Sequence, residues 1–451
     1  MKNLISLLFL GATVLTSAAL GQTDEAAVAQ KTDSLMTDAA KKGIFSGIVI
    51  ISHNGKEIYH KSSGFADWET QRAVDDGTLF NIGSLNKQFT EELIHQLVKE
   101  KKVSYDAPLS KYLDVFPPKT GDKITIRQLL NMRAGLGDFL RDPRFRGIEF
   151  SDYTLAQLVD IIKDEPLLFE PGSSQQYSNS GYAVLGLVIE KVTGKSFEKN
   201  IQDRIAQPLG LKNIYYTREE KKQQVRRANG TTIEFDGHKK SVDDISNSSP
   251  AGGIYTTASD LLTFTEAKLR NTLPSGTKYG NGMFGGGTPF WNAAIYYNKE
   301  DGYAYVILAN MGEIADELSR RIVSIIRGDP FPPLESPFIT KLYRLITEKG
   351  YDYIHSNAVS LAAQAHRPYD DRFLNFFGYQ FLEAGKDDIA ISLFKINVDL
   401  FPNAPNTYDS LAEAYLKTGD KKNAATFYKK ELELDPDNSR VRRALSDLGA
   451  Q

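Results

Sequence analysis

Strand-forming runs stand at both ends of the N-terminal two thirds of this 451-residue chain, with helical sequence between them, and this order constrains the fold more than any other feature. Gly47-Ile48-Val49-Ile50-Ile51 and Ile58-Tyr59-His60-Lys61 flank Asn54-Gly55, a dipeptide that tolerates the positive φ angles of a tight hairpin turn. At the far end, Trp291 to Asn298 and Ala304 to Asn310 are apolar or β-branched runs separated by the turn Lys299-Glu300-Asp301-Gly302, and Glu313 to Ile326 has helical periodicity. A helix over about Thr23 to Lys42, stopped by Gly43, precedes the first hairpin. The helix-rich middle runs to about Gly210, and the polar stretch from Thr217 to Ser249 reads as loops with one short strand. The expected fold is α+β: an antiparallel sheet flanked by helices, with a helical insertion.

Gly328-Asp329-Pro330-Phe331-Pro332-Pro333 breaks this pattern, and the sequence beyond it carries no strand signal. It carries instead a period of 34 residues: Gly378 and Ala412, Phe381 and Tyr415, Ala390 and Ala424, Phe394 and Tyr428, and Pro402 and Pro436 are all separated by that interval. Small residues where two helices touch, aromatics between them and a proline ending the second helix resemble the tetratricopeptide repeat, which implies an all-α domain able to hold a protein or peptide partner. Two repeats, at about 371–404 and 405–438, are few for a stable solenoid, so 337–365 and 439–448 are expected to cap them. The implied division is a leader at 1–21, the domain of strands and helices at 22–328, a Pro-rich linker at 329–336 and the repeat domain at 337–451.

Lys2, the apolar run from Leu4 to Leu15 and the small residues before Gln22 have the form of a secretory signal peptide, which places the mature protein outside the cell or in a bacterial periplasm. No later stretch is apolar enough for a membrane span. A net charge of −3 gives no electrostatic footprint for nucleic acid. The absence of cysteine removes thiolate nucleophiles and thiolate metal sites, and the six histidines show no metal-binding spacing, so neither a metal nor a cofactor is expected.

Ser84-Leu85-Asn86-Lys87 opens a segment whose Leu85, Phe89, Leu93 and Leu97 recur every four residues. Positions three apart share a helix face, so an ammonium can sit beside the hydroxyl, and a free serine needs such activation to attack a carbonyl. The same tetrad recurs at Ser196 to Lys199, Ser275 to Lys278 and Ser392 to Lys395; only the first follows Phe80-Asn81-Ile82-Gly83 at the turn into an apolar helix.

Phe80 to Thr90 (FNIGSLNKQFT), Leu129 to Leu136 (LLNMRAGL), Phe169 to Gly186 (FEPGSSQQYSNSGYAVLG), Pro208-Leu209-Gly210 and Pro250 to Asp260 (PAGGIYTTASD) resemble the serine beta-lactamase-like family of class C beta-lactamases, DD-peptidases and related esterases. The resemblance spans roughly Asp33 to Arg327. It implies Ser84 as nucleophile, Lys87 as its proton-transfer partner and Tyr177-Ser178-Asn179 as the family's Tyr-x-Asn element. Tyr177 would then act as a phenolate held by the Lys87 charge, with Asn179 orienting Lys87 and the substrate carbonyl. Two structural readings stand beside these roles: Tyr177 closing a loop before the helix at Gly181, and Asn179 capping that helix.

The third family element departs. Where relatives carry Lys-Thr-Gly or His-x-Gly on a strand lining the site, this chain has Phe284-Gly285-Gly286 followed by Gly287-Thr288-Pro289, so the usual helper for a substrate carboxylate is missing. Backbone N–H groups of Ser84 and Gly287 are the implied oxyanion donors, and Phe284, Gly286 and Gly287 line the substrate. Met132-Arg133-Ala134 also departs from the family's His-Thr-Ser. The resemblance implies an exported serine hydrolase acting on an ester, amide or peptide, esters favoured over beta-lactams. Its alternative is a catalytically weak binding or scaffold protein whose repeats recruit a partner.

Overall fold

The computed structural model describes residues 24–141, 154–216, 226–242, 248–365 and 367–449. The leader expected at 1–21 lies outside them. Two compact units are present: the first takes residues up to 233 and 239–334, the second 234–238 and 335–451. Only the longer elements are labelled below.

In the first unit, helix α1 (Glu25–Lys41) starts at Asp24, whose carboxylate accepts the Ala26 N–H at 3.0 Å. Strands β1 (Gly47–His53) and β2 (Lys56–Ser63) follow as the expected hairpin. The helical middle contains α2 (Asn86–Lys99), α3 (Asn179–Thr193) and α4 (Ala258–Leu269). Strands β3 (Gly282–Thr288), β4 (Trp291–Tyr297) and β5 (Tyr303–Ala309) and helix α5 (Ile314–Arg327) complete the unit. The sheet is antiparallel in the order β3-β4-β5-β1-β2, so the two ends of the unit meet where β1 pairs with β5, from Gly47 opposite Ala309 to His53 opposite Tyr303.

Both faces of this sheet are buried, which explains why its central strands read as unbroken apolar runs rather than as an alternation. Ile48, Ile50, Ala293, Ile295, Val306 and Leu308 face the core shared with α2, α3 and α4. Val49, Ile51, Ala294, Tyr296, Tyr305 and Ile307 face α1 and α5. The stretch expected to hold one short strand has two, 230–233 and 239–242, paired as a hairpin; residues 217–225 and 243–247 of it lie outside the described residues.

The first unit also extends into the segment expected as a linker. Leu334 is 3% exposed within the α5 core, Lys42 donates to its carbonyl at 2.8 Å, and Arg321 donates to the carbonyls of Pro332 and Pro333 at 3.0 Å each. Prolines lack an N–H but keep the carbonyl, and here two of those carbonyls fasten the chain down.

The second unit is helical: α6 (Phe338–Lys349), α7 (Tyr351–Ser356) and α8 (Ala358–Gln364), then two hairpins, α9 (Arg372–Glu383) with α10 (Asp387–Leu400) and α11 (Pro405–Lys417) with α12 (Lys421–Leu434), and a last helix α13 (Ser439–Asp447). A Cβ added to Gly378 would lie 2.5 Å from the Phe394 ring, so the small residue of the first hairpin is required by the closeness of its partner. Among the described residues no helix is long and apolar enough to cross a membrane.

Candidate active site

Ser84 is delivered by a short strand and a tight turn. Phe80 and Asn81 pair with Thr256 and Tyr255, Ile82 N–H donates to Ile254 O at 3.0 Å, and residues 83–85 form one 3-10 turn that runs into α2. Gly83 has φ +50°, and a Cβ on it would sit 2.6 Å from Gly287 N. On the facing strand, a Cβ on Gly286 would lie 2.6 Å from Ser84 N and 2.8 Å from Leu85 N. The glycines of β3 therefore let this strand meet the start of α2 backbone to backbone, and the amides of Ser84 and Gly287 stand at that junction.

Lys87, the second residue of α2, is 5% exposed and donates to three oxygens: Ala251 O at 2.6 Å, Asn179 Oδ1 at 2.7 Å and Ser84 Oγ at 3.1 Å. Residues 249–251 run along α2, held by Asn86 Nδ2 donating to Ser249 O and Thr90 Oγ1 donating to Pro250 O at 2.7 Å. Burial pulls the Lys87 ammonium down to about 7, against the opposing charge of Asp138. Three acceptors match the three protons of an ammonium. A neutral amine keeps two of those bonds and turns its lone pair on the third oxygen.

The Tyr177 hydroxyl lies 2.7 Å from Ser84 Oγ and donates to Asn179 Oδ1 at 3.3 Å, and the Lys87 ammonium sits 4.9 Å from the centre of its ring. Burial pushes the phenol up to about 12, a hydrogen bond with Ser84 opposes this, and the Asp138 charge pushes it further up. Burial therefore acts against the expected phenolate beside a charged lysine, favouring the protonated phenol and lowering the proton affinity of the amine. That reading counted a nearby charge and left out desolvation, which dominates both groups.

Asn179 is the first residue of α3, and the cap is Ser178, whose hydroxyl accepts the Gly181 N–H at 3.3 Å and donates to Gly137 O at 2.6 Å. The Asn179 side chain is thus left to the site, with Oδ1 on Lys87 and Tyr177 and Nδ2 donating to Asp138 Oδ2 at 2.9 Å. Asp138 is a site residue that the sequence reading missed. No fixed interval ties it to Ser84 or Tyr177, and it arrives through docking of 137–139 on the start of α3, where Phe139 N–H also donates to Ser180 Oγ at 2.9 Å. The departing Met132 and Arg133 hold the approach to Tyr177: Ser178 N–H points at Met132 Sδ at 3.5 Å, Gln176 N–H donates to Met132 O at 2.9 Å, and Arg133 donates to Gly172 O.

Phe284, expected to line the substrate, stacks on Tyr297 with ring centres 6.2 Å apart and packs against the core beneath the sheet. A cation does stand beside it, supplied by α4. Lys268 is 1% exposed, with its ammonium 5.6 Å from the Phe284 ring and 4.0 Å from that of Tyr279, donating to Gln88 Oε1 and 3.8 Å from Glu91. Burial draws it down to about 8. The other Ser-x-x-Lys copies have separate duties: Ser196 caps a helix at Lys199 N, Ser275 donates to the buried Glu92 at 2.7 Å, and Ser392 donates to Asp388 O within its own helix at 2.7 Å.

Comparison with known proteins gives the family. The family described as Beta-lactamase matches residues 27–323. Esterase EstB of Burkholderia gladioli is 27% identical over 295 residues, covering 57% of this chain and 75% of its own. The teichoic acid D-alanine hydrolase of Staphylococcus aureus is 31% identical over 176 residues, 39% of this chain and 42% of its own, so the match spans less than half of that relative. Among solved structures, the D-amino acid amidase of Ochrobactrum anthropi in complex with L-phenylalanine amide superposes with a TM-score of 0.56 at 22% identity, covering 67% of this chain and 98% of the other, a likeness of fold. By a match over most of its length, the chain belongs to the beta-lactamase family of serine hydrolases.

Proposed function

We propose that this protein is an exported hydrolase that cleaves an ester or amide through a Ser84 acyl-enzyme, with esters preferred over beta-lactams. The observation that carries this reading is the convergence of Lys87 Nζ and Tyr177 OH on one oxygen, Ser84 Oγ, at 3.1 and 2.7 Å. In the neutral-amine state, Lys87 takes the Ser84 proton as Oγ bonds to the substrate carbonyl carbon. The N–H groups of Ser84 and Gly287 hold the developing oxyanion. As the acyl bond breaks, the leaving alcohol or amine receives that proton, relayed from Lys87 through the Tyr177 hydroxyl. Water then attacks the acyl-enzyme, its proton returning to Ser84 by the same route, and the acid is released. Each cycle consumes one ester and one water and yields one acid and one alcohol.

The ester preference is supported by the cation-free strand at Phe284-Gly285-Gly286, with Lys268 buried beside the Phe284 ring. Against the binding-protein alternative stands the completeness of the cluster, since nothing in a pocket kept only for binding calls for a buried, easily deprotonated lysine on a serine. For the second unit, the 34-residue pattern supports a site for a protein or peptide segment.

The test is labelling of the mature protein by a fluorescent fluorophosphonate and, in parallel, a fluorescent penicillin, with the adduct mapped by peptide mass spectrometry. Labelling at Ser84 by the first reagent alone, abolished in Ser84→Ala, is expected. Labelling by both revises the ester preference, and labelling by neither refutes the hydrolase reading.

A further inference from the structure

The strand that carries the implied oxyanion donor is the part of the site least able to hold its own shape. Strand β3 stands at the end of the sheet, with β4 as its paired neighbour, and Gly285-Gly286-Gly287 gives it three consecutive residues without side chains. Glycine has the widest choice of backbone angles, whereas an oxyanion donor works only if its N–H is already aimed when charge develops. A donor at Gly287 therefore needs a brace from outside its own strand.

A pair of side chains behind the strand provides one. Asn292, 4% exposed, stands opposite Gly287 on β4, and Asp316 lies in the first turn of α5. Asp316 N–H donates to Asn292 Oδ1 at 2.8 Å, and Asn292 Nδ2 donates to Asp316 Oδ2 at 3.0 Å. A backbone N–H can only donate and a carboxylate can only accept, so this pairing fixes which way round the Asn292 amide stands. Its Nδ2 then also donates to Gly286 O at 3.3 Å. Gly286 O and Gly287 N–H belong to one planar trans peptide unit and point opposite ways. Holding the oxygen toward Asn292 directs the N–H away from it, to the side where Gly83 lies: a Cβ on Gly83 would sit 2.6 Å from Gly287 N. Asp316 also accounts for the middle residue of the altered motif. Facing alternates along a strand, so Gly286 turns to Ser84 and Gly285 turns away, where an added Cβ would lie 2.0 Å from Asp316 Oδ1. The carboxylate packs on the strand from behind, and a glycine at 285 leaves it room.

We infer that Asn292 and Asp316 are positioning residues for the reaction at Ser84: Asp316 orients the Asn292 amide, Asn292 holds Gly286 O, and the Gly286–Gly287 peptide is thereby kept with its N–H on the oxyanion. This rests on the reading of Ser84 as the nucleophile and of Gly287 as a donor. Neither side chain touches the substrate, since both stand behind the strand, and the bonds made and broken are unchanged.

The test compares phenyl acetate with its thionoester, in which sulfur, a weak hydrogen-bond acceptor, replaces the carbonyl oxygen. Release of phenol is followed in the parent, Asn292→Ala, Asp316→Ala and Asp316→Asn. The parent should prefer the oxygen ester by at least about 100-fold in kcat/KM, the scale of one oxyanion donor. Asn292→Ala and Asp316→Ala should slow the oxygen ester by about tenfold and the thionoester by less than about twofold, because sulfur draws little on the donor that is lost. Asp316→Asn, whose amide oxygen can still accept from Asn292 Nδ2, should keep most of the preference. A general loosening of the fold would slow both esters alike, so the ratio separates aim from stability. Should Asn292→Ala fail to fold, the two variants of the partly exposed Asp316 decide. A parent without the preference, an equal loss on both esters, or no loss on either overturns the inference and leaves the hydrolase reading standing; turnover of neither ester by the parent overturns both.

Discussion

Replacing Asp138 by asparagine removes a charge from the site and keeps its hydrogen-bond frame, because the new amide oxygen can still accept from Asn179 Nδ2, now 2.9 Å from the carboxylate. The charge reaches Lys87 through that amide, whose other end accepts from the lysine at 2.7 Å. A path through one amide puts the two charges about 7 Å apart, which at an effective dielectric of about 20 is worth roughly 2 kcal/mol, or between one and two pH units. Asp138 is half-buried, so solvent screening brings the expectation toward about one unit. Asp138 raises the lysine's proton affinity, against the burial that lowers it to about 7, so removing the charge lowers that affinity further. If neutral Lys87 accepts the Ser84 proton, kcat/KM for a 4-nitrophenyl ester rises through pH 7 in the parent, and Asp138→Asn moves this acid limb down by about one unit. A merely structural role for Asp138 would lower the plateau and leave the limb where it was. A limb that stays or moves up refutes the electrostatic account, and a parent profile that falls through pH 7 refutes the neutral amine itself.

Other consequences can be checked on the same protein. Because the Lys87 proton affinity is lower folded than unfolded, the unfolded chain binds more protons between about pH 7 and the ordinary lysine value of 10.5, and parent stability gains on Lys87→Met as pH rises; from pH 6.5 to 9.5 thermal or denaturant melts should show the gap narrow by on the order of 3 kcal/mol. A constant gap would contradict the depressed affinity. Gly286→Ala sets a methyl against the backbone of Ser84 and Leu85, which cannot yield as a side-chain tip can, so ester turnover should fall at least about tenfold, as for overpacking of roughly 1–3 kcal/mol; full activity would mean the strand is not seated there. A chain ended after Gly328 loses buried Leu334 and the Arg321 contacts and should melt earlier than one ended after Leu334, by the roughly 2 kcal/mol of a buried leucine; equal midpoints would show the Pro-rich segment to be an idle linker.

The parts of this molecule that were legible in its sequence are those in which function or packing imposes a repeat. Ile48 to Ile51 and Ala304 to Asn310 were readable as strands because burial on both faces keeps every position apolar, and Ser84 with Lys87 was readable because three residues of helix put two side chains on one face. The 34-residue spacing foretold the paired helices of the second unit for the same reason. At the Pro-rich cluster at 328–333, read as a boundary and linker, the carbonyls that hold it to Arg321 carry no sequence signature.

The charges that set the chemistry were not legible, and the reason is physical. Asp138 comes beside Asn179 and Lys268 beside Phe284 on elements whose places are set by tertiary packing, so no interval along the chain links them to Ser84. Proton affinity is still further from sequence, since it depends on how much water is excluded. Lys87 and Tyr177 are neighbours in space, and counting their attraction alone makes one a cation and the other a phenolate. Counting desolvation as well leaves a phenol and an easily neutralised amine, because burial taxes the charged form of each and here outweighs what their neighbours contribute. The same logic separates the two buried lysines, Lys87 and Lys268, among the described residues of the first unit. Lys268 keeps a nearby carboxylate, Glu91, and the faces of Tyr279 and Phe284, and its value falls less; Lys87 has neutral oxygens as its hydrogen-bond acceptors and the Asp138 charge beyond an intervening amide, and its value falls to where a base is useful. On the proposed mechanism, Lys87 serves as a base because dipoles in place of charges surround it, and Asp138, beyond the Asn179 amide, tunes it.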